Sequence, residues 1–277
     1  MGALRPRERS ALELHWGGSH PLPRRWVAVP GTVPPLVAPR PRASNARSDS
    51  SLSSPWDFSA AMTRLCADIV ARCPELSHIR MEQVLVTFTP SRSRSRYGLQ
   101  ARVTPLRFRH GALTRRQGAC EYQVQRFFVE GREILYLITF CLPRFLDQSF
   151  AEKLTTVFHE LYHINPAFDG DLRRHAGRYC LHTHSKASYD AHMHRLAQAY
   201  LRGHRQPQVY DFLRYDARRL AERHGGIVAA IVPRPKILPI GWTTLRTAAR
   251  SRQLLTPDHG PPGEAEAQLP QKLDASS

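Results

Sequence analysis

The spacing of apolar residues changes along this chain, and each change marks an expected element. In WDFSAAMTRLCADIVARC (56–73), Phe58, Met62, Leu65, Ile69 and Val70 recur at helical intervals and Pro74 closes the segment, which predicts a helix. EQVLVTFTP (82–90) is rich in β-branched residues and reads as a strand. The arginine-rich stretch that follows reads as a loop or an edge strand around LQARVTPLRF. EYQVQRFFV (121–129) and EILYLITFCL (133–142) are two further strands, and the short EGR link predicts a hairpin.

Residues 147–164 return to helical spacing, with Phe150, Leu154, Val157, Phe158, Leu161 and Ile164 on one stripe. Pro166 stops that helix, because a residue before proline is pushed out of helical geometry. A turn-rich segment, NPAFDGDLRRHAGR, leads to an expected helix over 185–201. Another covers 208–224 and ends at the Gly225–Gly226 pair, and GIVAAIV (226–232) reads as a late strand. A helix, a β-rich block, three helices and a final strand predict an α+β single domain.

Composition limits where that domain lies. Residues 1–55 carry Pro, Arg and Ser runs with little apolar periodicity, and 251–277 read the same way. Such segments bury too little apolar surface to offset the entropy of ordering them, so both are expected to be disordered tails around a folded 56–250. Met62 is an alternative start if the first segment is an over-extended reading. The N-terminus lacks a secretory pattern, and Glu8, Glu13 and the prolines argue against an amphipathic transit helix. No stretch is apolar for long enough to span a bilayer. The five cysteines, Cys66, Cys73, Cys120, Cys141 and Cys180, form no CxxC pair, which argues for free thiols and a cytoplasmic location.

The net charge is +17. Between Arg80 and Arg116 there are nine arginines and one acid, Glu82. That density is able to attract nucleic acid by counterion release, but no DNA-reading motif accompanies it.

The chemistry concentrates in VFHELYHINPAFDGDLRRHAGRYCLHTHS, which opens with HELYH. Residues four apart share a helix face, so His159 and His163 can aim ring nitrogens at one point. Glu160, about 100° round the helix, falls beside that point, where a general base is needed. Two histidines and an adjacent acid on an amphipathic helix are the HExxH pattern of a zinc peptidase.

A third ligand is needed, and eight of the fourteen histidines lie between His159 and His204. In a metzincin pattern Pro166 stands where glycine is required and Asp169 where the ligand falls. A gluzincin glutamate has no counterpart before Glu222. His175, His182 and His184 are the remaining candidates. His182 lies just ahead of a helix, His184 is two residues on, and His175 sits in a charged turn. Asp169 and Asp171 either orient an imidazole or make the turn and pair with Arg173 or Arg174. Tyr189 either faces the site as an oxyanion donor or packs in the helix core, and Asp190 beside it could also face the site. His192, His194 and His204 read as solvated or partly packed imidazoles.

HELYHINPAFDGDLRRHAGRYCLHTHSKASYDAHM resembles the phage-type metallopeptidase family, with the likeness running over 56–235 and sharpest over 157–193. The resemblance implies a zincin-like fold with a small mixed or antiparallel sheet packed on the HExxH helix. It also implies a zinc ion (Zn2+) and a peptide or protein substrate. It favours His182 as third ligand, in the pattern GR, three residues, H. SprT-like proteases, which act on proteins attached to DNA, carry a similar helix, but their later HG-containing segment has no clear counterpart here. The expectation is therefore a zinc metallopeptidase with Glu160 as base and His159, His163 and His182 as ligands. The alternative is a basic, nucleic-acid-associated module with a structural zinc site, or a protease acting on DNA-bound proteins.

Overall fold

The computed structural model describes residues 12–32, 55–91, 95, 97–174, 186–203 and 206–242. In chain order the N-terminal elements are β1 (Glu13–Trp16), β2 (Arg24–Trp26), β3 (Trp56–Asp57) and α1 (Phe58–Arg72). The β-rich block holds β4 (Val84–Pro90), β5 (Ala101–Pro105), β6 (Thr114–Gln117), β7 (Cys120–Val124), β8 (Arg126–Val129), β9 (Arg132–Ile134) and β10 (Tyr136–Leu142). Then come α2 (Phe150–Tyr162), α3 (Lys186–Gly203), α4 (Ala217–His224), β11 (Ile227–Ala230) and β12 (Ile237–Trp242). The fold is α+β, with four small sheets among the described residues.

The strand β10 is central because every one of its residues is buried. It lies between β4, which runs parallel, and β5, which runs antiparallel. Side chains alternate across a strand, so β10 serves two cores at once. Tyr136, Ile138, Phe140 and Leu142 join the large core with α1, α2 and α3, whereas Leu137 joins a smaller one with Leu106, Phe108, Val124, Phe127 and Ile134. The polar pair on this sheet, Thr87 and Thr139, is satisfied internally at 2.9 Å.

Helix α1 starts where Asp57 accepts a bond from the Ala60 amide at 3.0 Å, and it buries Phe58, Met62, Leu65 and Ile69 completely. The expected hairpin forms between β8 and β9. Its turn is Glu130–Gly131, both with positive φ, the geometry that suits the twist of a two-residue hairpin.

Several expectations are corrected. The strand read over 121–129 breaks at Gln125, whose amide bonds Lys236, so that β7 and β8 lie in different sheets. The strand read over 133–142 breaks at Leu135, whose backbone joins Gln83 and Leu106. Apolar alternation continues through both corners, which is why the pattern alone hides them.

The helix expected over 208–224 begins only at Ala217, after two short 3-10 turns. Lys153 explains the delay. Its ammonium is buried and donates to the carbonyls of Leu213 and Tyr215 at 3.0 and 2.8 Å, which removes those carbonyls from helical bonding. Burial pulls the Lys153 pKa down to about 8.

The N-terminal boundary also moves. Within the segment read as tail, β1 pairs with β8 and β2 pairs with β11, and Leu12, Val27 and Val29 are buried. Arg24 forms an ion pair with Asp57, and Arg126 bridges Glu13 at 2.7 Å and Glu133 at 2.6 Å. A chain beginning at Met62 would lack these strands and the cap of α1. The apolar residues here are too few and too widely separated by prolines to show a period. Residues 1–11, 33–54 and 243–277 lie outside the described residues, so the remaining boundaries rest on composition. Among the described residues no helix is long and apolar enough to cross a membrane.

Deleting residues 1–32 should therefore lower stability by on the order of 5 kcal/mol, from three apolar side chains lost from the core at about 1.5–3 kcal/mol each. Urea titration of the full and shortened chains measures this. An unchanged midpoint would return these strands to the status of a tail.

Candidate metal centre

Ser149 and Glu152 form a reciprocal capping box at the start of α2, with bonds of 3.3 and 2.8 Å. The cap fixes the rotation of the helix. Leu154, Val157, Phe158 and Leu161 then face the large core. His159 and His163 project from the same side, and their Nε2 atoms lie 2.9 Å apart.

At that separation one ring nitrogen donates to the other, which of the two depending on the tautomer, and both lie on one side of the helix. Nitrogens bound to one tetrahedral zinc at about 2.0–2.1 Å stand about 3.3 Å apart, so a few tenths of an ångström of opening would admit the ion. The pair fits a metal on this ground. Among the described residues no group of three or more His, Cys, Asp or Glu is gathered round it.

Glu160 faces the other way from the core stripe, toward β5. It is buried and its carboxylate is held by the Val103 amide. Burial pushes its pKa up to about 8, and the Val103 bond opposes the rise.

The register of β5 explains why that amide is available. The Cys141 amide bonds the Gln100 carbonyl, and the Leu106 amide bonds the Leu135 carbonyl. Bonded and non-bonded pairs alternate in an antiparallel ladder, so Ala101, Val103 and Pro105 direct their backbone groups away from β10. Pro105, which has no amide hydrogen, sits where none is required.

Tyr189 of α3 walls the histidines. Its buried ring lies 5.0 Å from His159 and 6.0 Å from His163, nearly parallel to the latter. Burial pushes its hydroxyl well above the ordinary range. Tyr189 is therefore a core residue, as one of its two readings had it, and its ring packs beside the histidines. Asp190 is exposed.

After α2 the chain doubles back. Ile164 bridges Leu172, and the Arg173 amide bonds the His163 carbonyl at 2.7 Å. Asp169 and Asp171 build this turn. Asp169 accepts from the Asn165 side chain at 2.8 Å and from the Asp171 amide at 3.1 Å. Asp171 accepts from the amides of His110 and Leu172 and pairs with Arg174 at 3.0 Å. Asp169 is thus committed to the turn and does not join the histidines.

The Tyr136 hydroxyl clamps the turn to the sheet, accepting from the Gly170 amide at 2.9 Å and donating to the Asp171 carbonyl at 2.8 Å. Arg173 lies over the Tyr162 ring, 3.9 Å from its centroid. The chain thereby returns to the end of α2 just before residue 175. His175, His182, His184 and His204 lie outside the described residues.

Of the other candidates, His192 bonds Glu75 at 3.0 Å and His194 bonds Gln198 at 2.8 Å, both away from the pair. Glu222 is an exposed residue of α4 paired with Arg218. Sequence reasoning missed Val103, Tyr136 and His78, whose half-buried ring bonds the Ile164 backbone. Each acts across a long sequence separation, so no local pattern marks it.

The frame and this helix define an α+β protein that sets two imidazoles side by side on one helix. Residues 56–204 match the family described as putative phage metallopeptidase, more than half of the chain, and the protein belongs to that family. No curated protein and no solved structure matches it.

Two substitutions test the frame. Tyr136→Phe leaves the buried Gly170 amide without a partner and should cost about 1–3 kcal/mol in chemical denaturation. A change below the error of the titration would remove the clamp from this account. Glu160 binds its proton more tightly folded than unfolded, so its contribution is fully present below its unfolded pKa near 4 and is lost as pH rises through about 8. Glu160→Gln should therefore stabilise the metal-free protein more at pH 8 than at pH 5, by on the order of 2 kcal/mol. An equal effect at both pH values would show that the carboxyl is not held neutral.

Proposed function

We infer that the protein is a zinc-dependent metallopeptidase, with His159, His163 and His182 as ligands and Glu160 as general base. The observation that carries this reading is the convergence of the two Nε2 atoms beside a buried carboxylate at an open strand edge. A bound zinc ion would lower the pKa of water and polarise a peptide carbonyl. Glu160 takes a proton from the attacking water on a carboxylate oxygen and passes it to the leaving amine. Burial raises its basicity toward the working pH, which suits both halves of that transfer. An acid beside the ligands has no use in a purely structural metal site, and this favours catalysis over the structural alternative.

The outer backbone groups of β5 offer a path for an extended peptide by strand addition. The third ligand comes from the segment after Arg174. The turn returns the chain to the end of α2 before that segment begins, which supports a histidine there over Asp169.

Metal analysis of the purified full chain and hydrolysis of casein test this together. Glu160→Gln should keep its zinc and lose cleavage by about 10²–10⁴-fold. His159→Ala and His182→Ala should lose zinc, while His192→Ala should keep it. Undiminished cleavage by the Glu160 variant would sink the catalytic assignment. Full zinc in His182→Ala would move the third ligand to His184 or His175.

A further inference from the structure

The edge strand that carries Val103 also carries Arg102, which is exposed and makes no ion pair among the described residues. Its neighbour in register on β10 is Thr139, whose hydroxyl is already bonded to Thr87 at 2.9 Å. Arg102 lies close to the candidate site, since its guanidinium and the Glu160 carboxylate both act on the Cys141 thiol.

Along the chain the segment around the strand is basic, while in space Glu133 pairs Arg107, Asp171 takes the His110 amide and Glu160 the Val103 amide. No Asp or Glu occurs between Glu82 and Glu121. Beyond Pro105, Arg109 is exposed and Arg115 covers the Phe108 ring at 5.1 Å. Before the strand, Arg144 holds the carbonyls of Ser95 and Leu99 at 2.9 and 3.1 Å, leaving Tyr97 89% and Leu99 46% exposed. Arg107 and Arg126, by contrast, share Glu133, and Arg126 also pairs with Glu13. The uncompensated charge thus borders the edge with the outward-facing backbone groups.

We propose that β5 receives an extended acidic peptide, with Arg102 pairing a Glu or Asp side chain of the added strand. This rests on the peptidase reading of the same site and names its substrate class. A strand added along the outer groups of Ala101 and the Val103 carbonyl, the Val103 amide being held by Glu160, places its side chains alternately on the two faces of the sheet. Those on the Arg102 face lie beside an unpaired guanidinium, and opposite charges across neighbouring strands attract. A nucleic acid fits less well. Phe108 is covered by Arg115, and Tyr97 is the one largely exposed aromatic among the described residues, whereas single-strand binding uses several stacking rings.

The test measures binding without turnover. The full-length chain carrying Glu160→Gln is titrated, by fluorescence anisotropy, into short labelled peptides matched except for a single Glu, Gln or Lys. The Glu peptide should bind about two- to five-fold more tightly than the Gln peptide, with the advantage fading as salt is added. Arg102→Gln should erase that difference, and Arg102→Glu should transfer the preference to the Lys peptide.

Equal binding of all three peptides, or a Glu preference that survives Arg102→Gln, would overturn the proposal. An oligonucleotide whose binding falls in Arg102→Gln while peptide discrimination stays intact would assign the surface to nucleic acid instead. The peptidase reading is judged separately. Glu160-dependent cleavage of peptides with no acidic preference removes this inference alone, whereas absence of any Glu160-dependent cleavage removes the reading beneath it.

Discussion

The two bonds of the Tyr136 hydroxyl set the direction in which the chain leaves the helix that carries His159 and His163. They join the first residue of the central strand to the Gly170–Asp171 turn. Without them the turn would keep the Arg107 amide bond to Gly170, the buried Phe168 ring and its own carboxylates, but lose its polar tie to the central strand. With them, the return of Arg173 to the His163 carbonyl is tied to the most buried part of the sheet. A metal centre needs its ligands held to fractions of an ångström, and rigid neighbours supply that. The helix contributes two candidate ligands by its own periodicity. The clamp decides where the next stretch of chain begins.

Glu160 shows what the site costs the fold. A carboxyl group buried with one amide partner is less favourable ionised than it would be in water. The same burial makes it a better proton acceptor near neutral pH. Lys153, two turns earlier on the same helix, is buried for a different purpose. Its two carbonyl partners hold the 3-10 segment before α4 against the helix, and it touches neither histidine. Two buried ionisable groups on one helix thus divide into one aimed at the edge strand and one locked into the frame.

The edge strand joins the fold to the candidate chemistry. Its inward bonds complete the sheet, and its outward groups reach Glu160 at Val103 and, among the described residues, have no strand partner elsewhere. Pro105 limits how far such pairing can extend. The positive charge beside this edge belongs to the folded surface and not only to the tails.

Much of this was legible in the chain. The helical stripe around HELYH, the spacing of His159 and His163, the place of Glu160 beside them and the hairpin at Glu130–Gly131 follow from local periodicity and turn chemistry. So does the end of the helix before Pro166. Local patterns report these because the interacting residues lie within a few positions of one another.

Tertiary structure decided the rest. It recruited Glu13–Trp16 and Arg24–Trp26 into sheets, broke two apparent strands at Gln125 and Leu135, and delayed α4 until Lys153 had taken two carbonyls. It committed Asp169 to a turn when its position in the sequence had also suggested a ligand. It brought the Val103 amide to Glu160 from more than fifty residues away. Each of these depends on which distant backbone group is left unbonded when the sheet is complete. That is a property of the assembled ladder, and no window of sequence contains it.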